Sequence, residues 1–268
     1  MLSNTLLSAA SRCLMAEPSR ATAFLKRLEA YSQPSSAGLL DSLLASFAAP
    51  AMTIEDGVAV IPFKGFTGYH LSPLEKAIGM QDVEEFTANL QAAYDNPEVK
   101  AIMLDVDSPG GFVVGVEEAS DLVASSPKPI ESWGTSIHSA ATFVTGVAHR
   151  VTGMASGDYG SVGTVMVVED LSGMAEKEGI KVHVISSGWA KGMLTPGAPV
   201  TDQQLSYLKE DVIMDEANAF RSKLKAVRTS IPDEALQGQF YSGRKAATLG
   251  FLTGIGSRQS VLNRLKAI

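Results

Sequence analysis

Short apolar runs recur along the middle of the 268-residue chain, separated by stretches in which apolar residues fall three and four apart. The runs are residues 57–62 (GVAVIP), 100–106 (KAIMLDV), 129–133, 162–168 (VGTVMVV) and 181–186 (KVHVIS), mostly rich in Val and Ile, and they predict buried strands. The intervening spacing predicts helices over about 81–95, 114–125, 139–149 and 170–179. A longer helix is predicted over 202–227, with Thr201 as its N-cap. Strands alternating with helices predict parallel β-α units and an α/β fold. Residues 1–30 set Leu and Ala at helical spacing among Arg, Lys and Ser, and the run Ser32-Gln33-Pro34-Ser35-Ser36 ends that pattern. Residues 1–54 therefore read as a helical N-terminal arm and linker, 55–256 as the body, and 257–268 as a basic C-terminal tail.

Composition narrows the function classes. With 45% hydrophobic and 19% charged residues the chain can build a sizeable core, and its length suits one α/β unit. The net charge of −7 is unevenly spread: +1 over residues 1–53, −13 over 54–243 and +5 over 244–268. An acidic body argues against nucleic acid as the main ligand, because phosphate binding needs a basic stripe on the fold. The basic end reads most simply as a solvated terminal helix. No run approaches the ~18 apolar residues of a membrane span, and the first twenty residues lack the pattern of a secretory signal. The expectation is a soluble cytoplasmic protein that does not engage a membrane. A single cysteine, Cys13, excludes an intramolecular disulfide, and four scattered histidines offer no metal-ligand spacing. No metal or cofactor is implied.

Four places set small or reactive residues near predicted strand ends, where α/β folds tend to place their sites. Ser108-Pro109-Gly110-Gly111 follows the second strand; paired glycines let main-chain N–H groups approach a developing oxyanion, although Pro-Gly-Gly is first of all a turn. Ser139 opens a predicted helix, which suits a nucleophile and equally suits an N-cap. His138 is adjacent to Ser139 and His149 lies turns away, so neither is placed to act as its base. Lys191, in Ser187-Gly188-Trp189-Ala190-Lys191-Gly192, is an alternative: a lysine acts as general base when burial lowers its pKa, and otherwise reads as a solvated loop residue. Gly160-Ser161-Val162-Gly163 opens the next strand, with the Ser161 hydroxyl as a candidate to orient the lysine amine.

In this order, SPGG, Ser139, GSVG and the lysine of an SGxxKG loop, the chain resembles the serine-lysine peptidases that include bacterial signal peptide peptidase A and the phage prohead (capsid maturation) proteases. Separations of 22 residues from Ser139 to Ser161 and 52 to Lys191 fit the family's register, and Tyr241-Ser242-Gly243 with Ala247 and Gly250 resembles its late segment. The resemblance implies Ser139 as nucleophile, Lys191 as general base, Ser161 as the residue orienting the lysine, and an oxyanion hole from the amides of Gly111, Gly110 and Ala140. It also implies the ClpP/crotonase-like spiral of β-β-α units and a homo-oligomer. Two departures stand out: Ala140 and Ala141 follow the nucleophile where the bacterial enzymes usually carry glycines, and Gly192 follows the lysine.

The expected function is that of a serine endopeptidase, a phage or prophage head maturation protease. Scaffold, portal and major capsid proteins are its expected partners, within the assembling procapsid in the host cytoplasm. The alternatives are a signal peptide peptidase A-like enzyme that degrades cleaved signal peptides, and a catalytically idle structural protein of the procapsid. A crotonase-like acyl-CoA enzyme, a third possibility on fold analogy, gives Ser139 and Lys191 no role.

Overall fold

The computed structural model describes residues 14–16 and 52–268. Its strands are β1 (Leu14–Ala16), β2 (Thr53–Glu55), β3 (Val58–Lys64), β4 (Thr67–Gly68), β5 (Gln81–Asp82), β6 (Ala101–Ser108), β7 (Gly110–Phe112), β8 (Ile130–His138), β9 (Arg150–Gly160), β10 (Phe240–Ser242) and β11 (Gly254–Ile255). The helices are α1 (Pro73–Ala77), α2 (Val83–Asp95), α3 (Val116–Ala124), α4 (Ala140–Thr145), α5 (Ser172–Lys177), α6 (Asp202–Tyr207), α7 (Met214–Val227), α8 (Gly243–Leu249) and α9 (Arg258–Lys266).

The large sheet runs β10-β9-β8-β6-β3-β2, with β11 also paired to β9, and its four central strands are parallel. The strands are apolar in both registers because both faces are covered. Along β3, Ala59, Ile61 and Phe63 join Val83, Phe86 and Leu90 of α2 in the main core. Val58 and Val60 face the other way and meet Val261, Leu262 and Leu265 of α9. Each of two successive turns of chain places a long strand in the large sheet, β3 then β6, and a short successor in a second sheet, β4 then β7, before a helix follows. This is the α/β spiral of β-β-α units that the family resemblance implies. The helix expected over 202–227 is also present, capped by Thr201 accepting from the Gln204 amide, with one π-helical turn at Leu208–Ile213 between α6 and α7.

Several expectations are corrected. Among the described residues, 162–168 and 181–186 form no strand: no residue from 163 to 197 is buried, and apart from an isolated bridge at Val165 none of them pairs in a sheet. The fourth long parallel strand is instead β9. The helix expected over 139–149 ends at Thr145, where Gly146 caps it. Residues 257–268 are no free tail, because α9 seals one face of the large sheet and Arg264 pairs with the buried Glu131. The helical arm expected over 1–54 lies outside the described residues apart from residues 14–16 and 52–54. Leu14–Ala16 form a strand rather than a helix, because the edge of β7 offers backbone groups to pair with.

Candidate active site

At the end of β8 the chain turns sharply into α4, and the residue at that turn is Ser139, with φ 51° and ψ −116°. A non-glycine residue held there costs about 1–3 kcal/mol, so its surroundings must over-determine it. The Ser139 amide donates to the Gly160 carbonyl at 2.9 Å. The Thr142 hydroxyl lies 2.9 Å from the carbonyls of both Ile137 and Gly160, lacing the first turn of α4 to the ends of β8 and β9. Further along, Phe143 stacks on Phe220 of α7 with ring centroids 4.6 Å apart. The buried Arg228 guanidinium donates to the carbonyls of Gly146 and Ala148, just past the end of α4. Burial depresses the pKa of Arg228 from its usual range, and its contacts at the C-terminal end of a helix are where a cation is favoured.

The Ser139 hydroxyl caps no helix amide, which removes the N-cap reading. It points to the Gly163 carbonyl at 3.4 Å, longer than a well-formed O–H···O bond, so it is held weakly. Ser139 is buried, 1% exposed, and Ala140 and Ala141 behind it are fully buried.

Beside the start of α4 lies β7, against which that helix packs. Ser108 shapes the turn into β7: its hydroxyl donates to the Gly65 carbonyl at 2.6 Å and accepts from the Gly110 amide at 3.1 Å. The Gly110 N–H is therefore already engaged. Gly111 pairs with Thr67 of β4 so closely that a Cβ there would stand 2.2 Å from the Thr67 carbonyl oxygen, so only glycine fits. Ser161 follows β9 with φ 55° and its amide bonded to the Gln239 carbonyl at 2.7 Å. A cavity of about 220 Å³ opens beside it, lined by Gly163, Ile213, Met214 and Arg221 among others.

Ser139, Ala140, Gly110, Gly111 and Ser161 thus converge on the ends of β6, β8 and β9. No hydrogen bond ties Lys191 to them. It is exposed and lies in the unburied stretch 163–197, and among the described residues its amine makes no hydrogen bond or ion pair. Its loop is steadied by Trp189, edge-on to Tyr207 at 5.4 Å. None of the four histidines takes its place. His138 turns to Asp158 at 2.7 Å, His149 accepts from the Ile130 amide, His70 pairs with Glu84, and His183 is exposed. No group of His, Cys, Asp and Glu among the described residues could hold a metal ion. Arg228 and Thr142, which position α4, escape sequence reasoning because their partners are set by tertiary contact; Arg228 reaches a carbonyl 82 positions away.

Comparison with known proteins sets this geometry in context. A model of peptidase family S49 matches residues 123–267, more than half of the chain. Capsid assembly protease C of Escherichia phage lambda is 26% identical over 203 residues, covering 74% of this chain and 46% of its own length. A protein of Enterococcus faecium assigned as signal peptide peptidase SppA is 24% identical over 189 residues, covering 68% of this chain and 55% of its own. The chain spans about half the length of these curated relatives. Among solved structures, a ClpP1 variant of Listeria monocytogenes aligns over 84% of this chain and 99% of its own, at 12% identity and a TM-score of 0.46.

Proposed function

The chain belongs to peptidase family S49, and from that premise we propose that it is a serine endopeptidase working through Ser139 and Lys191. The observation that carries the reading is the conformation of Ser139. A serine held at φ 51° at a strand-to-helix turn, with its hydroxyl free of capping duty, is arranged for chemistry rather than for helix stability.

The reaction is acyl transfer. Neutral Lys191 takes the Ser139 proton, the alkoxide adds to a peptide carbonyl, and the amides of Gly111 and Ala140 hold the oxyanion; the leaving amine takes a proton, and water then hydrolyses the acyl-enzyme. Gly110 contributes to the shape of this turn more than to the oxyanion, since its amide is bonded to Ser108. Ser161, beside the nucleophile, orients the lysine amine.

An exposed lysine must be desolvated for this chemistry to run. The stretch 163–197 exposes Val167, Met174, Ile180 and Ile185, the last 97% exposed, and carries strand-forming sequence that joins neither sheet of the described residues. Exposed apolar segments of this kind mark association surfaces. The chain therefore works as a homo-oligomer in which packing of this stretch against a neighbouring copy brings Lys191 to a Ser139.

Its substrates are scaffold, portal and major capsid proteins of a phage or prophage head, a reading supported by the similarity to the lambda capsid assembly protease. The similarity to an SppA-like protein supports a second reading, degradation of cleaved signal peptides. Incubating the purified protein with procapsids of the encoding phage, and separately with a synthetic signal peptide, tests the choice. Ser139-dependent shortening of scaffold protein is expected; cleavage of the signal peptide alone favours the second reading.

A further inference from the structure

Thr67 of β4 is fully buried, and among the described residues its hydroxyl has no hydrogen-bond partner. A dry hydroxyl left unpaired costs stability that a valine of the same shape would not. Its surroundings show what it is turned toward. Thr67 is the residue of β4 paired with Gly111 of β7, and a Cβ on that glycine would stand 2.2 Å from the Thr67 hydroxyl oxygen. The neighbouring turn is tied down by other groups: the Ser108 hydroxyl bonds both the Gly65 carbonyl and the Gly110 amide, and the Gly65 amide donates to the Asp107 carbonyl at 3.0 Å. Residues 65–67 are thus the floor on which residues 107–111 rest. The Thr67 hydroxyl is a donor in that floor with nothing yet to donate to.

We propose that Thr67 is a positioning residue for the oxyanion: during catalysis its hydroxyl donates to the Gly110 carbonyl and so strengthens the Gly111 amide as a donor. The proposal rests on the reading of Gly111 as an oxyanion donor. The Gly110 carbonyl and the Gly111 N–H belong to one peptide unit and point in opposite directions, so a donor placed at the carbonyl end acts on the N–H at the other. Hydrogen bonds in such a chain polarise and reinforce one another. A carbonyl oxygen accepts two bonds, so pairing with a neighbouring strand leaves room for the hydroxyl. Glycine on both sides of the unit, with Gly110 at φ 88°, lets it make the small turn that closes this bond as negative charge builds at the N–H end. The bond is then absent from the resting protein and present in the transition state. An interaction of that kind acts on kcat rather than on KM.

The test uses the full chain and hydrolysis of fluorescein-labelled casein, and it compares two pairs of side chains at position 67 that differ by the hydroxyl: wild type with Thr67→Val, and Thr67→Ser with Thr67→Ala. In each pair the hydroxyl-free protein is expected to have a kcat about tenfold lower with KM unchanged, the worth of about one hydrogen bond made only in the transition state. Thr67→Val is also expected to melt no lower than wild type, since it removes an unpaired buried hydroxyl. A merely structural role would not lower activity while stability is kept. Equal kcat within either pair of folded proteins overturns the proposal and leaves the protease reading intact. So does a kcat that falls only together with the melting temperature, or failure of both hydroxyl-free proteins to fold, since either makes the hydroxyl a structural group. Absence of Ser139-dependent hydrolysis from the folded wild type overturns the protease reading, and this proposal with it.

Discussion

The amide of Ser139 donates to the carbonyl of Gly160 at 2.9 Å, tying the residue that starts α4 to the last residue of β9. The same carbonyl accepts from the Thr142 hydroxyl, and the turn that follows Gly160 presents the Gly163 carbonyl to the Ser139 hydroxyl. The nucleophile and the segment leading to Ser161 are therefore one hydrogen-bonded unit. Its neighbour across the cleft is the Gly110–Phe112 strand, and the predictions below probe how these parts depend on one another.

Gly111→Ala tests the oxyanion strand. The added Cβ would stand 2.2 Å from the Thr67 carbonyl oxygen, so β7 must move away from β4 and carry its amide off line. Displacing one oxyanion donor costs about 2.7–4 kcal/mol in the transition state. The expected outcome is a fall in kcat of about two to three orders of magnitude with an unchanged circular dichroism spectrum.

The pair between Arg264 of α9 and Glu131 tests whether the C-terminal helix belongs to the fold. The Glu131 carboxylate is 1% exposed and meets Arg264 Nε at 3.1 Å and Nη2 at 2.5 Å, with the Thr152 hydroxyl donating at 2.6 Å. Arg264→Met leaves this carboxylate with only the Thr152 hydroxyl and the more distant Arg150 Nε at 3.7 Å. A fully buried pair broken this way loses about 3–5 kcal/mol, and with Arg264 two-fifths exposed a loss of about 2 kcal/mol is expected by urea unfolding. Adding Glu131→Gln to Arg264→Met is expected to recover part of it.

Tyr159 provides a pH test. Its hydroxyl donates to the Gly134 carbonyl at 2.7 Å and accepts from the Met154 amide at 2.7 Å, and burial pushes its pKa up to about 12. A group whose folded pKa is raised contributes stability below its unfolded pKa and loses it as pH climbs toward the folded one. Tyr159→Phe is therefore expected to be less stable than wild type by about 1–3 kcal/mol at neutral pH, because the buried Gly134 carbonyl and the part-buried Met154 amide lose their partner. That gap should narrow between about pH 10 and 12, followed by thermal melts across the alkaline range.

Subunit mixing tests how Lys191 reaches its serine. Ser139→Ala and Lys191→Ala proteins are each expected to be inactive. If they are denatured together at equal amounts and refolded as mixed assemblies, about a quarter of serine-lysine contacts across copies join two intact partners. Casein hydrolysis should return to about that fraction of wild type. No recovery in assemblies shown to be mixed would place the dyad within one copy.

How much of this was legible in the sequence depends on what each residue's neighbours had to supply. The helix from Thr201 onward was readable because its cap, its capping-box Gln204 and its apolar spacing are local. The strands β3 and β6 were readable because burial on both faces makes them continuously apolar. β9 was hidden. Gly153 and Gly157 sit where a Cβ would strike the Tyr159 hydroxyl, so a strand buried by tertiary packing carries the composition of a loop. The reverse holds for 162–168 and 181–186, whose Val and Ile content reports strand propensity while strand formation depends on a pairing edge that neither sheet of the described residues offers them. Within the site, Ser139 and the Pro109-Gly110-Gly111 turn stood out only as members of an ordered set. The pairing of Leu14–Ala16 with β7 had no sequence signal, because an added strand is selected by the open edge it meets.

The most direct test of the account is hydrolysis of fluorescein-labelled casein by wild-type, Ser139→Ala and Lys191→Ala proteins, each checked for an unchanged melting temperature. The account predicts activity in the wild type and loss of at least about three orders of magnitude in both variants, since the nucleophile and its base act as one unit. Full activity in either variant would contradict it.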